Sequence, residues 1–119
     1  MKESENMFNL LFEKFNANSI SASEAKKRLA ESKDVVLLDV RTMQEYKSIR
    51  IGGSVLVPLD SISTKISKVV SDKDVEIIVY CHSGARAKAA LGLLNKMGYT
   101  NVKNLGGISS WPYETVSGN

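Results

Sequence analysis

Two apolar runs, residues 35–39 and 75–80, constrain the fold of this chain more than any other feature. Residues 35–39 are apolar on both faces of an extended chain, which is typical of a central strand in a parallel sheet. Residues 75–80 also predict a buried strand, and the apolar spacing of residues 87–97 predicts a helix soon after it. The chain is therefore expected to place helices against a buried sheet.

Strands alternate with helices along the rest of the sequence. Ser21 and Thr42 each precede a glutamate by three residues, which is the capping-box pattern of a helix start. The other predicted elements are helices at 21–31, 42–48 and 61–70, the last N-capped by Asp60, strands at 55–57 and 102–105, and a short helix that contains Trp111 as a core anchor. Residues 116–119 are predicted to be a frayed tail. This order predicts a three-layer α/β fold with a mostly parallel central sheet flanked by helices on both faces.

The length of 119 residues fits one domain, which we expect to span residues 19–119. Residues 1–18 form an extension whose apolar residues recur at helical spacing, namely Phe8, Leu11, Phe12 and Phe15. The extension is predicted to be a short helix that packs on the domain. A docking helix or a membrane-surface helix is the alternative.

Composition and charge argue against several classes of function. The single cysteine, Cys81, excludes an internal disulfide and a four-cysteine zinc site, and we expect neither a metal nor a cofactor. The net charge of +3 is mild and its basic residues are spread along the chain without interleaved aromatic residues, so no nucleic-acid partner is expected. Because no stretch approaches the about 20 apolar residues that span a bilayer and no signal peptide is evident, we expect no membrane partner and a cytoplasmic location.

The only cysteine and the only histidine of the chain begin a short loop after the second apolar run. The sequence of this loop is Cys81-His82-Ser83-Gly84-Ala85-Arg86. Because free N–H groups and the dipole at a helix start favour negative charge, we expect the cysteine thiol to ionise more readily than a free cysteine. The glycine allows loop N–H groups to point inward, and the arginine adds a permanent positive charge with a planar set of donors. The pattern predicts a cysteine nucleophile that faces an anionic group.

At these residues the sequence resembles the rhodanese family, whose active-site loop is Cys-x-x-Gly-x-Arg at the end of a buried strand. Three further segments are similar to segments of that family: Leu38-Asp39-Val40-Arg41 with Glu45-Tyr46, Ile51-Gly52-Gly53-Ser54 with Pro58, and Asn104-Leu105-Gly106-Gly107-Ile108 with Trp111. Together the four segments cover about residues 19–113. Ile49 and Arg50 depart from the pattern, since glycine and histidine are frequent there in the family.

The resemblance implies the same α/β fold and a sulfurtransferase activity. Cys81 would attack the outer sulfur of a small anion such as thiosulfate, or of a persulfide. It would hold that sulfur as a persulfide and pass it to a thiol, cyanide or a protein. The N–H groups of residues 82–86 would bind the transferred sulfur, and Arg86 would brace the loop and attract anions. Four residues separate Cys81 from Arg86. The loop is therefore one residue shorter than in the related dual-specificity phosphatases. Its ring of backbone N–H groups suits a single sulfur atom better than a phosphoryl group.

Two alternatives to a sulfurtransferase are open from the sequence: a rhodanese-like module that binds a partner without turnover, and a cysteine phosphatase or arsenate reductase. The presence of the cysteine disfavours the first, and the length of the loop disfavours the second. His82 is expected to line the loop, with proton transfer or anion binding as the alternative. Asp39, Arg41 and Glu45 lie near the end of the first predicted strand and are expected to tie that end to the next helix, a framework role that the resemblance also implies. A functional role at this ligand-binding edge of the sheet is the alternative.

Overall fold

The computed structural model describes residues 18–119, so the helix predicted within residues 1–18 lies outside the described residues, apart from Asn18. The elements are α1 (Ala22–Glu31), β1 (Val36–Asp39), α2 (Met43–Ser48), β2 (Val55–Leu56), a first 3₁₀ turn (Leu59–Ser61), α3 (Ile62–Val69), β3 (Ile77–Cys81), α4 (Ala85–Lys96), β4 (Val102–Gly107) and a second 3₁₀ turn (Ile108–Ser110). In this part of the chain, no helix has both the length and the apolar character needed to cross a membrane.

The four strands form one parallel sheet in the order β2-β1-β3-β4. The central strands β1 and β3 end side by side, with Asp39 opposite Tyr80. Cys81 at the end of β3 lies opposite Gly107 at the end of β4. The predicted parallel sheet is confirmed. The carboxyl ends of its strands meet at one edge, which is where ligands bind in open α/β sheets.

Both faces of the sheet are covered by helices, as predicted. Successive residues of β3 point to opposite faces, so Cys81 contributes to one core and Tyr80 to the other. The first core packs α3 and α4 against the sheet through Ile62, Ile66, Ala87, Ala90 and Leu94. The second core packs α1 through Ala25, with Trp111 half-buried at its margin rather than anchored inside it. Burial on both faces explains why the central strands lack alternation of polar and apolar residues.

Two helix starts differ from the predictions. Asp60 is not an N-cap, because it lies within the first 3₁₀ turn, and α3 begins after Ser61, whose side chain makes no capping hydrogen bond. The tight turn supplies the start of this helix in place of a side-chain cap. Helix α4 begins at Ala85, earlier than predicted, so Arg86 belongs to its first turn.

The prediction of a frayed tail at residues 116–119 is wrong. Arg50 and Val116 exchange both backbone hydrogen bonds, each 2.8 Å long, in an isolated antiparallel bridge. The Arg50 guanidinium also donates to the Gly118 carbonyl at 2.7 Å and lies over the Tyr46 ring, 4.5 Å from its centroid. Arg50 therefore ties the C-terminal segment to the end of α2.

Candidate active site

Cys81 occupies the carboxyl end of the central strand β3. Only 1% of the residue is exposed, and its Sγ accepts a hydrogen bond from the Gly84 N–H at 3.0 Å. Gly84 has a φ of 117°, a left-handed conformation that residues with a side chain rarely adopt. The glycine therefore turns the loop back so that its amide faces the sulfur.

The loop continues directly into α4. The first helical hydrogen bond runs from the Lys88 N–H to the Gly84 carbonyl, at 3.0 Å. The N–H groups of Ala85 and Arg86 therefore have no acceptor within the helix. Together with the helix dipole, they place partial positive charge at the loop that holds the cysteine.

Arg86 is paired with Glu45 across the gap between α4 and α2. Its two terminal nitrogens donate to the two carboxylate oxygens at 2.8 and 2.9 Å. These hydrogen bonds lower the pKa of Glu45 from the usual 4.5 to about 2, against the opposing effect of partial burial. The stabilisation from this shift is fully present above pH 4.5 and is lost only as the pH falls towards about 2. The carboxylate is therefore charged at neutral pH, and the ion pair connects α4 to α2.

Thr42 holds the same carboxylate from the start of α2. Its Oγ1 and its N–H both donate to Glu45 Oε1 at 3.0 Å, and the Glu45 N–H donates to Thr42 Oγ1 at 3.2 Å. The capping box predicted from the sequence is therefore complete. Its consequence for the site was missed, because nothing in the local pattern indicates that the capped carboxylate also receives Arg86.

A buried ion pair lies at the end of β1. Arg41 donates to both carboxylate oxygens of Asp39, at 3.0 Å from Nε and 2.7 Å from the terminal nitrogen, and 2% and 0% of the two side chains are exposed. The Arg41 guanidinium also donates to the Ile49 carbonyl at 2.7 Å, just after the last residue of α2. The pair therefore connects the end of the strand to the helix that carries Glu45.

Gly107 brings the end of β4 against the Cys81 loop. A Cβ atom at this position would lie 2.2 Å from the His82 carbonyl oxygen and 2.6 Å from the Ser83 Cα. Both atoms belong to the backbone, so they cannot move aside as a flexible side chain would. The Ser109 N–H then donates to the same His82 carbonyl at 3.1 Å. The segment that contains Gly107 gave no indication in the sequence of this contact with the loop.

Replacing Gly107 with alanine is expected to lower the free energy of unfolding by about 1–3 kcal/mol, because the loop must shift to relieve the overlap. Urea denaturation measures this change. The matched control is Gly92→Ala in α4, where a Cβ meets no atom within 4 Å. Alanine is the better helix former, so this control is expected to gain up to about 1 kcal/mol. Equal stability of the two variants would contradict the close approach.

A cleft of about 430 Å³ adjoins the loop. Its lining residues come from the segment after β1, from α2 and from the residue after the cysteine: Arg41, Gln44, Glu45, Ser48, Ile49 and His82. The predicted loop residues His82, Ser83 and Ala85 are exposed. Three of the predicted site residues, Arg41, Glu45 and His82, line this cleft. The other predicted site residues do not line it, and Cys81 itself is buried.

A larger cavity, of about 740 Å³, lies near the opposite ends of the strands. Its lining includes Val35 and Val75, which precede β1 and β3. It is therefore remote from the loop that holds the cysteine. The 430 Å³ cleft is the candidate active site, because its lining includes Arg41 beyond the end of β1 and His82 in the loop that follows β3.

Comparison with known proteins agrees with this geometry. A family model described as a rhodanese-like domain matches residues 21–113. The chain belongs to the rhodanese-like family. The match includes the β3–loop–α4 unit around Cys81, and it confirms the resemblance seen in the sequence motifs.

Curated relatives of this rhodanese-like domain are named for sulfur transfer. A protein named Sulfurtransferase from Allochromatium vinosum is 38% identical over 95 residues, covering 79% of this chain and 87% of the relative. Thiosulfate sulfurtransferase PspE from Escherichia coli is 33% identical over 81 residues, covering 68% of this chain and 78% of the relative.

Solved structures show the same fold. A rhodanese with anions from E. coli superposes with a TM-score of 0.67 at 32% identity, covering 71% of this chain and 99% of that one. The BH2092 protein from Bacillus halodurans gives a TM-score of 0.80 over 96% of this chain and 86% of that one. Its identity of 20% supports the fold alone.

Proposed function

We propose that this protein is a sulfurtransferase that carries a sulfane sulfur on Cys81. The observation that carries the proposal is the Cys81 Sγ, 3.0 Å from the Gly84 N–H at the start of α4. A backbone donor facing the sulfur stabilises a thiolate, which is the nucleophilic form of cysteine. Relatives named as sulfurtransferases make sulfur the natural cargo of such a thiolate.

The first half-reaction loads the enzyme. The Cys81 thiolate attacks the outer sulfur of thiosulfate or of a persulfide, and a new Sγ–S bond forms. The S–S bond of the donor breaks, and its electron pair leaves with sulfite or with the donor thiolate. The transferred sulfur then carries the negative charge, which the N–H groups of Gly84 and the first turn of α4 stabilise.

The second half-reaction returns the enzyme to its resting state. A thiol, cyanide or a protein attacks the outer sulfur of the persulfide, and the Cys81 thiolate is released. Arg86 keeps the loop in place through Glu45, and His82 lines the approach to the loop. These steps use the chain's own groups, and a reducing location such as the cytoplasm keeps the single thiol available.

A binding module without turnover is the second candidate, and the burial of Cys81 favours it. Only 1% of the residue is exposed, and the cleft is lined by other residues. A donor reaches Sγ only if the loop or the side chains around it give way. A rhodanese-like domain whose cysteine stays covered would bind a partner at the cleft and transfer nothing.

Intact mass spectrometry after incubation with thiosulfate distinguishes the two candidates. We expect the protein to gain the mass of one sulfur atom, to lose it on addition of cyanide or dithiothreitol, and to show the adduct on the peptide that contains Cys81. Protein reduced with dithiothreitol and never exposed to thiosulfate is the control. No sulfur gain, together with no alkylation of Cys81 by iodoacetamide at neutral pH, would refute the sulfurtransferase and support the binding module.

A further inference from the structure

The charges around the candidate cleft are already paired within the protein. Arg41 is bound by Asp39, and Arg86 is bound in bidentate fashion by Glu45. Among the residues that line the cleft, the imidazole of His82 is then the remaining group that can add positive charge. A doubly charged donor such as thiosulfate therefore meets little compensating charge until it reaches the backbone donors of the loop.

The volume and lining of the cleft point to a larger ligand with uncharged polar groups. Its 430 Å³ lies within the range of about 300–1,000 Å³ typical of pockets for organic molecules, and one tetrahedral ion fills only a small part of it. Gln44 and Ser48 are four residues apart on α2, so they lie on the same side of the helix and both line the cleft. Ile49, with 43% of its surface exposed, adds an apolar contact next to them.

The side chains of Gln44 and Ser48 suit amide groups in particular. A glutamine amide both donates and accepts hydrogen bonds, as a serine hydroxyl does, so together they complement the N–H and C=O groups of a peptide. Neither side chain carries a charge that would select a small anion. A donor with a peptide-like organic part could make apolar contacts and amide hydrogen bonds in this cleft, where the ionic groups are already paired with each other.

We propose that the cleft binds the organic part of a peptide-like thiol persulfide, with Gln44 and Ser48 as the residues that select it over thiosulfate. The proposal rests on the proposed function, since it names the donor that loads Cys81. The Cys81 thiolate attacks the outer sulfur of R–S–SH, the Sγ–S bond forms, and the S–S bond of the donor breaks. The electron pair and the proton leave together as RSH, so the transferred sulfur carries the negative charge that the loop N–H groups stabilise, and no other reactant is required.

The test compares two donors, the persulfide of N-acetylcysteine amide, whose organic part has amide groups and no charge, and thiosulfate, by the second-order rate constant for sulfur uptake on Cys81. The wild-type protein is expected to react faster with the amide persulfide. The Gln44→Ala/Ser48→Ala variant is expected to lose at least about fivefold in that rate constant and to change less than about twofold with thiosulfate, because two hydrogen bonds to the organic part are removed. Both positions are exposed, so the variant is expected to fold.

Met43→Ala is the matched control, because Met43 is on the same helix, is 55% exposed and does not line the cleft. It should leave both rate constants unchanged. If Cys81 takes up sulfur and the double variant leaves the ratio of the two rate constants as it is in the wild type, the selection by Gln44 and Ser48 is refuted while the sulfurtransferase stands. If Cys81 takes up sulfur from neither donor, both proposals fall.

Discussion

Replacing Cys81 with alanine is expected to reduce thiocyanate formation from thiosulfate and cyanide by at least about 10³-fold, to the rate of the uncatalysed reaction. The reason is that the chain has one cysteine, so no second thiol can accept the sulfur. The Gly84 N–H and the first turn of α4 would remain, but they stabilise charge on a sulfur that is no longer bonded to the protein. Colorimetric detection of thiocyanate measures the effect.

The fold of this variant must be checked because Cys81 is part of the first core. Alanine is smaller than cysteine and apolar, so urea denaturation is expected to show a cooperative transition with a modest loss of stability. Cys81→Ser is the second variant, since it keeps nearly the same shape and replaces the sulfur with a much weaker nucleophile. Full thiocyanate production by either folded variant would show that the cysteine does not carry the sulfur.

The sequence was sufficient for the fold because the strongest signals were local. Residues 35–39 and 75–80 are apolar on both faces, and only a sheet covered on both sides buries such strands. Few sheet topologies are compatible with the predicted order of strands and helices. The strand–loop–helix unit around Cys81 could be placed for the same reason, since the end of an apolar run and a glycine in the loop are visible without a structure.

Contacts between distant segments could not be predicted in the same way. Val116 pairs with Arg50, and Gly107 contacts the loop after Cys81. The sequence around Val116 and around Gly107 does not indicate either of these partners. The burial of Cys81 likewise depends on how the loop packs. The start of α3 was misplaced for a different reason: Asp60 is a favourable N-cap residue, but the 3₁₀ turn gave the chain another way to begin the helix.

Replacing Arg41 with methionine is expected to lower the free energy of unfolding by about 3–5 kcal/mol. The substitution leaves the carboxylate of Asp39, 0% exposed, without its partner in the protein interior. A domain of this size has a total stability of about 5–15 kcal/mol, so the loss is a large fraction of the whole. In urea denaturation, we expect the midpoint to fall by more than about 1 M.

A double variant separates the buried charge from the rest of the effect. In Asp39→Asn/Arg41→Met the side chain at position 39 is neutral and keeps an oxygen that can accept the N–H of residue 41, as Asp39 does now at 2.9 Å. We expect it to recover at least half of the lost stability, because most of the cost comes from an unpaired buried charge. Two results would contradict a strongly coupled pair. One is a free energy of unfolding of Arg41→Met within about 0.5 kcal/mol of the wild type. The other is a double variant that is as unstable as Arg41→Met.

Activity should not recover with stability in the double variant. Arg41 also donates to the Ile49 carbonyl at 2.7 Å, and asparagine at position 39 cannot replace that hydrogen bond. The end of α2 then loses this hydrogen bond, and α2 carries the Glu45 that pairs with Arg86. A folded double variant is therefore expected to take up sulfur more slowly than the wild type at a temperature where both are native. Wild-type rates in that variant would show that the pair stabilises the fold without positioning the site.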